Sequence, residues 1–372
     1  MHAYQTLFLS PLLLLSACGR HHHDEPAPVV TPRPVYHADG RKSPDCYTRP
    51  TWLHDELTRA LGEFPLFQYW GPTATIASSR WIVAATRRVL PHHDLTLAYV
   101  PHLDYDLQRF GPRSPQARAA ASELDAVLAP LLDDAARLGV EVIVLSEYGI
   151  TEVDRPVHLN RVLRRAGLLE VHTQAGMEYL DPWASTAFAV ADHQVAHVYV
   201  RDADRVEEVS ALLRETPGVE QVLDRAGQAE VGLDHERSGD LVVVAERDAW
   251  FTYYYWLDDA RAPDFARGVE IHRKPGHDPA ELFFDPADRT AKARAGLALV
   301  RKKLGLRYSM TVVPLDARWV RGSHGRLPDD PEDGPVLITS TPGRLRESVA
   351  ATDVRDLVLR AAGVDVDVLM AR

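Results

Sequence analysis

The chain has 372 residues, 45% of them hydrophobic and 26% charged, enough for a sizeable buried core. Its formal charge of -11 excludes a general nucleic-acid surface, because phosphate backbones are bound by clustered Lys and Arg that displace counterions. With only two cysteines, Cys18 and Cys46, a disulfide framework is excluded as well.

The chain opens on an apolar run over 7–17 that is too short for a membrane span and ends in small residues, as secretory leaders do. Leu15, Ser16, Ala17 and Cys18 resemble the lipobox of bacterial lipoproteins, in which the cysteine is lipidated. Cys18 is therefore the lipidation candidate, with a membrane tether and a cell-envelope location as its consequence. A cytoplasmic location follows otherwise. Residues 1–5 contain no Lys or Arg, although a basic start usually accompanies such leaders. The segment 21–50 is rich in Pro, Asp, Arg and Thr and reads as an extended linker. Its tract of His21, His22 and His23 is of a kind that binds metals only loosely in a flexible segment.

A domain is expected over 51–372. The spacing of apolar residues predicts a helix over 52–61 and a second over 80–90 capped by Ser78 or Ser79. A compact apolar strand follows over 95–100. Ser114 and Pro115 start a long helix whose apolar residues keep helical spacing to Gly139, and a strand covers 140–145. Strand, long helix and strand, with both strands mostly apolar, predict an α/β fold with a mainly parallel sheet covered by helices on both faces. Farther on, a helix is expected over 158–169, strands over 187–190, 195–200 and 241–245, and a helix over 206–213. The stretch 195–231 reads as a small α+β insert. A strand over 335–339 and a helix over 354–362 close the chain.

In open parallel sheets, functional residues collect where loops leave the carboxyl ends of strands. Asp104 follows the strand ending at Val100, Glu147 follows the strand ending at Leu145, and His324 sits in a Gly-Ser-His-Gly loop before the last strand. All three are metal-ligand types. His193 is a further candidate, as a ligand or as a residue packed around the ligands. His193 and His197 would share a face of a strand but lie far apart on it. His277 reads as a loop histidine, Arg273 and Lys274 as cations that could neutralise an anionic substrate, and the run from Trp250 to Trp256 as core packing.

Three ordered segments resemble the alkaline phosphatase superfamily, and within it the nucleotide pyrophosphatase and type I phosphodiesterase branch. They are Leu103-Asp104 through Gln108 to Gly111-Pro112, Ser146-Glu147-Tyr148-Gly149, and Gly322-Ser323-His324-Gly325. The branch carries Pro-Asp-x-x-x-His-x-x-Gly-Pro, Ser-Asp-His-Gly and Gly-x-His-Gly there. The resemblance implies an alkaline phosphatase-like fold and a two-metal site, with Asp104 and His324 on one ion and Glu147 on the other. This sequence departs from the pattern at Gln108 and Tyr148, which stand where the branch has histidines. Neutral amide and phenol oxygens are weaker zinc ligands than imidazole, so zinc, or magnesium or manganese in its place, is the implied cofactor. The branch also uses a Thr or Ser nucleophile after its first strand, and residues 1–50 contain no match to that segment. The sheet is accordingly expected to carry a gap. The implied function is hydrolysis of a small phosphodiester or nucleotide pyrophosphate, of doubtful activity for a truncated chain. The alternative is a non-catalytic, lipid-anchored binding domain that keeps part of a metal site.

Overall fold

A computed structural model describes residues 13–17, 27–38, 42–270, 272–306, 310–343 and 348–366. Cys18 and His21, His22 and His23 lie outside the described residues. The chain forms two compact units, one from Met1–Asp106, Pro115–Gly149 and Gly334–Arg372 and the other from Leu107–Ser114 and Ile150–Asp333. No helix among the described residues is long and apolar enough to cross a membrane.

The first unit is built on a four-stranded sheet in the order Leu337–Thr339, Glu141–Leu145, Leu13–Ala17, Leu95–Tyr99. Helix Pro115–Leu138 buries Leu124, Leu128, Leu131 and Ala135 against Ala98, Val140 and Val142 of the sheet region. Gly139, at φ +67°, ends that helix where the sequence predicts, a conformation that costs glycine little. Helix Val354–Ala361 packs Val354, Leu357 and Val358 against Ile143, Leu145 and Leu337. The expected α/β layering is present.

The expected parallel pairing is not. Leu95–Tyr99 and Glu141–Leu145 do run the same way, but they are not neighbours. Leu13–Ala17 lies between them and is antiparallel to both, and Leu337–Thr339 is also antiparallel to Glu141–Leu145. The strand between them, Leu13–Ala17, comes from the apolar run that also reads as a leader. The second helix also differs from expectation. It spans Ile76–Val89 and is capped by Thr75, whose hydroxyl accepts the Ala77 N–H, while Ser78 and Ser79 are buried inside it.

The second unit holds another four-stranded sheet, in the order Ala187–Asp192, Val195–Val200, Leu241–Ala245, Val219–Leu223, antiparallel throughout. Helices Val206–Arg214 and Arg225–Glu230 fall in this part of the chain. Among the described ladders only Ala249–Phe251 with Arg155–Val157 is parallel. The aromatic run is core, as expected: Trp250, Tyr253, Tyr254 and Trp256 are completely buried.

His158 shows how this core depends on pH. Its ring stacks on Tyr254 at 5.7 Å, and its Nδ1 lies 2.7 Å from Thr252 Oγ1. Burial, reinforced by Arg161, pushes its pKa down to about 4. The imidazole is neutral in the fold and charges near its ordinary value when the chain unfolds. Its contribution is therefore complete above pH 6.5 and is lost as the pH falls from there through about 4. At about 1.4 kcal/mol per pH unit, urea melts of the second unit should lose up to about 3 kcal/mol across that window from this group. His158→Gln should flatten the slope, and an unchanged slope would remove His158 from the account.

Candidate functional site

Asp104 does not lie in a loop but in the first turn of helix His102–Phe110, where its N–H donates to Pro101 O. The i, i+4 spacing puts Asp104 and Gln108 on one face of that helix, one turn apart. Both are 1% exposed. The spacing that reads as a motif in the sequence is therefore a helical repeat.

Within the first unit, Tyr148 donates its hydroxyl to Asp104 Oδ1 at 3.4 Å. The turn that carries it is fixed by Ser146, whose N–H donates to Val336 O and whose hydroxyl oxygen accepts the Val336 N–H, both at 2.9 Å. Glu147 is exposed on the same turn.

Within the second unit, three histidines from distant parts of the chain come together, and one of them, His193, meets Gln108. His193 is the first residue of the two-residue loop between Ala187–Asp192 and Val195–Val200, and its φ of +56° is rare for a residue with a side chain. This position takes its ring out of the ladder expected from the sequence. The ring lies 3.8 Å from that of His324 and 4.6 Å from that of His277, centroid to centroid. Its Nδ1 is 2.7 Å from Asp192 Oδ1 and its Nε2 is 3.3 Å from Gln108 Oε1. The Asp192 carboxylate at Nδ1 orients the ring so that Nε2 faces the Gln108 amide, as an outer carboxylate orients histidine ligands in metal centres.

The backbone holds this cluster at several points. Gln194 N–H donates to His324 O at 2.8 Å, and Arg321 N–H donates to Gln108 O at 2.8 Å. His277 is brought in by its own N–H, which donates to Ala191 O at 2.8 Å. Gly276 at φ +132° makes that approach possible, since a Cβ there would lie 2.4 Å from Ala191 O. Burial pushes the His277 pKa down to about 3, with His193 adding to the effect, and holds His324 well below the ordinary histidine value. Both imidazoles are therefore neutral at physiological pH, the form that coordinates a metal.

Asp104 and Tyr148 are brought together in one unit, and Gln108, His193 and His324 in the other. His277, expected to be an ordinary loop residue, belongs with the latter group. Only the pairing of Gly276 with Ala191, 85 positions apart, places it there, and no local signal marks it. His197 is elsewhere, with its Nδ1 accepting the Gly239 N–H at 3.0 Å. The two cations expected to face an anion are occupied. Lys274 Nζ is 2.7 Å from both Asp278 and Glu281, and Arg273 pairs with Asp264 at 2.8 Å.

The family model described as type I phosphodiesterase / nucleotide pyrophosphatase matches residues 17–278. No curated protein sequence matches the chain. Among solved structures, the chain is similar to phosphonoacetate hydrolase from Sinorhizobium meliloti 1021 in complex with phosphonoformate. That likeness has 18% identity over 82% of this chain and 59% of the other, with a TM-score of 0.47. It is similar to murine ectonucleotide pyrophosphatase / phosphodiesterase 5 at 15% identity, over 76% of this chain and 58% of the other, with a TM-score of 0.44. The chain thus spans a little under three fifths of these proteins.

Proposed function

The chain belongs to the type I phosphodiesterase / nucleotide pyrophosphatase family of the alkaline phosphatase superfamily, and on that premise we propose that it is a metal-dependent hydrolase of small phosphodiesters or nucleotide pyrophosphates. The observation that supports this most is the cluster of buried Gln108 and His193 with half-buried His324. Its donor chemistry fits a divalent ion, because it gathers two imidazoles, that of His324 held neutral, beside the buried amide of Gln108. In this reading Asp104, Glu147 and His324 hold the metal, with Gln108, His193 and Tyr148 as further ligands or as supports.

A divalent ion so held supplies Lewis acidity toward a phosphoryl oxygen. The protein's own residues do the rest of the positioning. Asp192 orients the His193 ring, and Tyr148 donates a hydrogen bond to Asp104 that restrains its carboxylate. The share of oxygen donors, larger than in an all-histidine site, favours manganese or magnesium over zinc. None of the described residues is assigned as the nucleophile.

One observation favours the second reading, a binding domain that does not turn over substrate. Gln108 and Tyr148, the two residues that differ from the family pattern, are both engaged with neighbouring side chains. Purified protein assayed on bis(p-nitrophenyl) phosphate with Mn, Mg or Zn decides between the two. Turnover that needs the metal, and that drops at least about 100-fold in His324→Ala, supports the hydrolase, since loss of a residue that only orients a ligand already costs 10- to 100-fold. Metal binding sensitive to His324→Ala but without turnover selects the binding domain. Absence of both overturns each reading.

A further inference from the structure

Outside the residues assigned above, one group of side chains among the described residues offers three metal-ligand atoms within 4.8 Å of one another: Asp45, Cys46 and His54. Cys46 opens strand Cys46–Arg49 and His54 lies in the first turn of helix Trp52–Leu61, so the tight turn between them folds the imidazole back toward the thiol. We propose that these three residues bind a divalent ion of borderline softness, of the zinc class, at a site distinct from the one assigned to hydrolysis.

The donor set decides the kind of ion. Thiolate sulfur, imidazole nitrogen and carboxylate oxygen together match zinc and the ions that replace it, whereas magnesium and calcium take oxygen ligands almost exclusively. Thiolate and carboxylate also carry two negative charges between them, which balance the ion. Binding expels to solvent the thiol proton and the proton that His54 Nε2 shares with Asp45, and the sulfur and Nε2 then make the new bonds.

The histidine is set for the task. Its Nε2 is 2.7 Å from Asp45 Oδ1, on the side of the thiol, and its Nδ1 is 3.3 Å from Asp55 Oδ1. With the ring proton on Nδ1 facing Asp55, the Nε2 lone pair is turned to the ion, and Asp55 acts as the outer carboxylate that orients a histidine ligand. Asp45 is anchored as well, because its Oδ1 accepts the Cys46 N–H at 2.8 Å. The site has an inner and an outer side. Cys46 is buried among Leu53, Leu57 and Trp81, while the Asp45 and His54 side chains are about one third exposed. Three protein ligands with solvent on one side leave the fourth tetrahedral position to water.

Cobalt(II) is the probe, because its bond to a thiolate gives a near-ultraviolet charge-transfer band. The full chain carrying Cys18→Ser has Cys46 as its sole thiol, and the histidine tract and the residues assigned to hydrolysis offer no sulfur. The expected result is a sulfur-to-cobalt band that saturates at one equivalent, is displaced by Zn and is unaffected by Mg. His54→Gln, at a partly exposed position, should weaken cobalt binding at least about 10-fold. Zinc should also raise the melting temperature of the Cys18→Ser chain by more than that of its His54→Gln derivative, in which only the site assigned to hydrolysis remains. No sulfur band, or a band whose affinity ignores His54, overturns the site. Cys46→Ala should abolish the band, and if that variant fails to fold, His54→Gln and zinc competition still decide the matter. Diesterase activity is not read in any arm, so the outcome is independent of the hydrolase proposal.

Discussion

Lys274→Met should destabilise the second unit by about 3–5 kcal/mol, a large share of the 5–15 kcal/mol typical of a domain. The Lys274 side chain is 1% exposed, as are those of Asp278 and Glu281, and its Nζ is 2.7 Å from each carboxylate and 3.1 Å from Gly268 O. Burial alone would push the ammonium's pKa down, but the two carboxylates outweigh it and hold the group above the ordinary lysine value. Burial conversely raises Glu281, an effect that Lys274 offsets only in part. Removing the cation leaves two carboxylates out of water and facing each other, and one must take up a proton for the fold to persist. The cost is that of stranding charge, not of losing an attraction, so Lys274→Met combined with Asp278→Asn and Glu281→Gln should recover much of it. Urea melts followed by near-ultraviolet circular dichroism report this unit, since Trp250, Tyr253, Tyr254 and Trp256 are buried in its core. A loss under about 1 kcal/mol in the single variant would mean that water reaches the carboxylates.

Gly322→Ala should cost about 3 kcal/mol and also disable the histidine cluster. A Cβ at Gly322 would lie 2.2 Å from Leu107 O and 2.9 Å from its carbonyl carbon, and neither backbone atom can rotate away. The first glycine of the Gly-Ser-His-Gly segment is needed because the strand Gly322–Ser323 presses against helix His102–Phe110 at this point, beside the bond from Arg321 N–H to Gln108 O. Separating the two would move His324, two residues farther on, away from Gln108 and His193. Metal affinity of the cluster, measured by titration calorimetry, is therefore expected to fall at least about 10-fold together with stability. Gly296→Ala is the contrasting case. It lies in helix Ala291–Lys303 with nothing within 4 Å of an added Cβ, and should stabilise by up to about 1 kcal/mol. Equal effects at the two positions would overturn the steric account.

Local patterns are legible in the sequence where one physical period governs. Helix Trp52–Leu61 and strands Val195–Val200 and Leu241–Ala245 have the bounds that apolar spacing predicts. Errors arose where two chemistries share one pattern. Ser78 and Ser79 resemble caps, yet Thr75 lies in the extended conformation that a cap requires, at φ -148°. Asp104 reads as a residue of a loop after a strand, yet Pro101 begins a helix at once and makes Asp104 and Gln108 a helical pair. His193 reads as a strand residue, yet the hairpin turns on it.

The sequence by itself determined the family, through a stretch that includes the segments around Asp104 and Glu147, together with the alternation of helices and strands, because both are properties of neighbouring residues. Only the tertiary structure decided that Leu13–Ala17 separates two strands expected to lie side by side, that His277 joins His193 and His324, and that Lys274 already has its counterions. Each of these depends on backbone pairing or packing that the local pattern does not encode. Periodicity tells a strand which face to bury, but it does not tell the strand which neighbour will cover its hydrogen bonds.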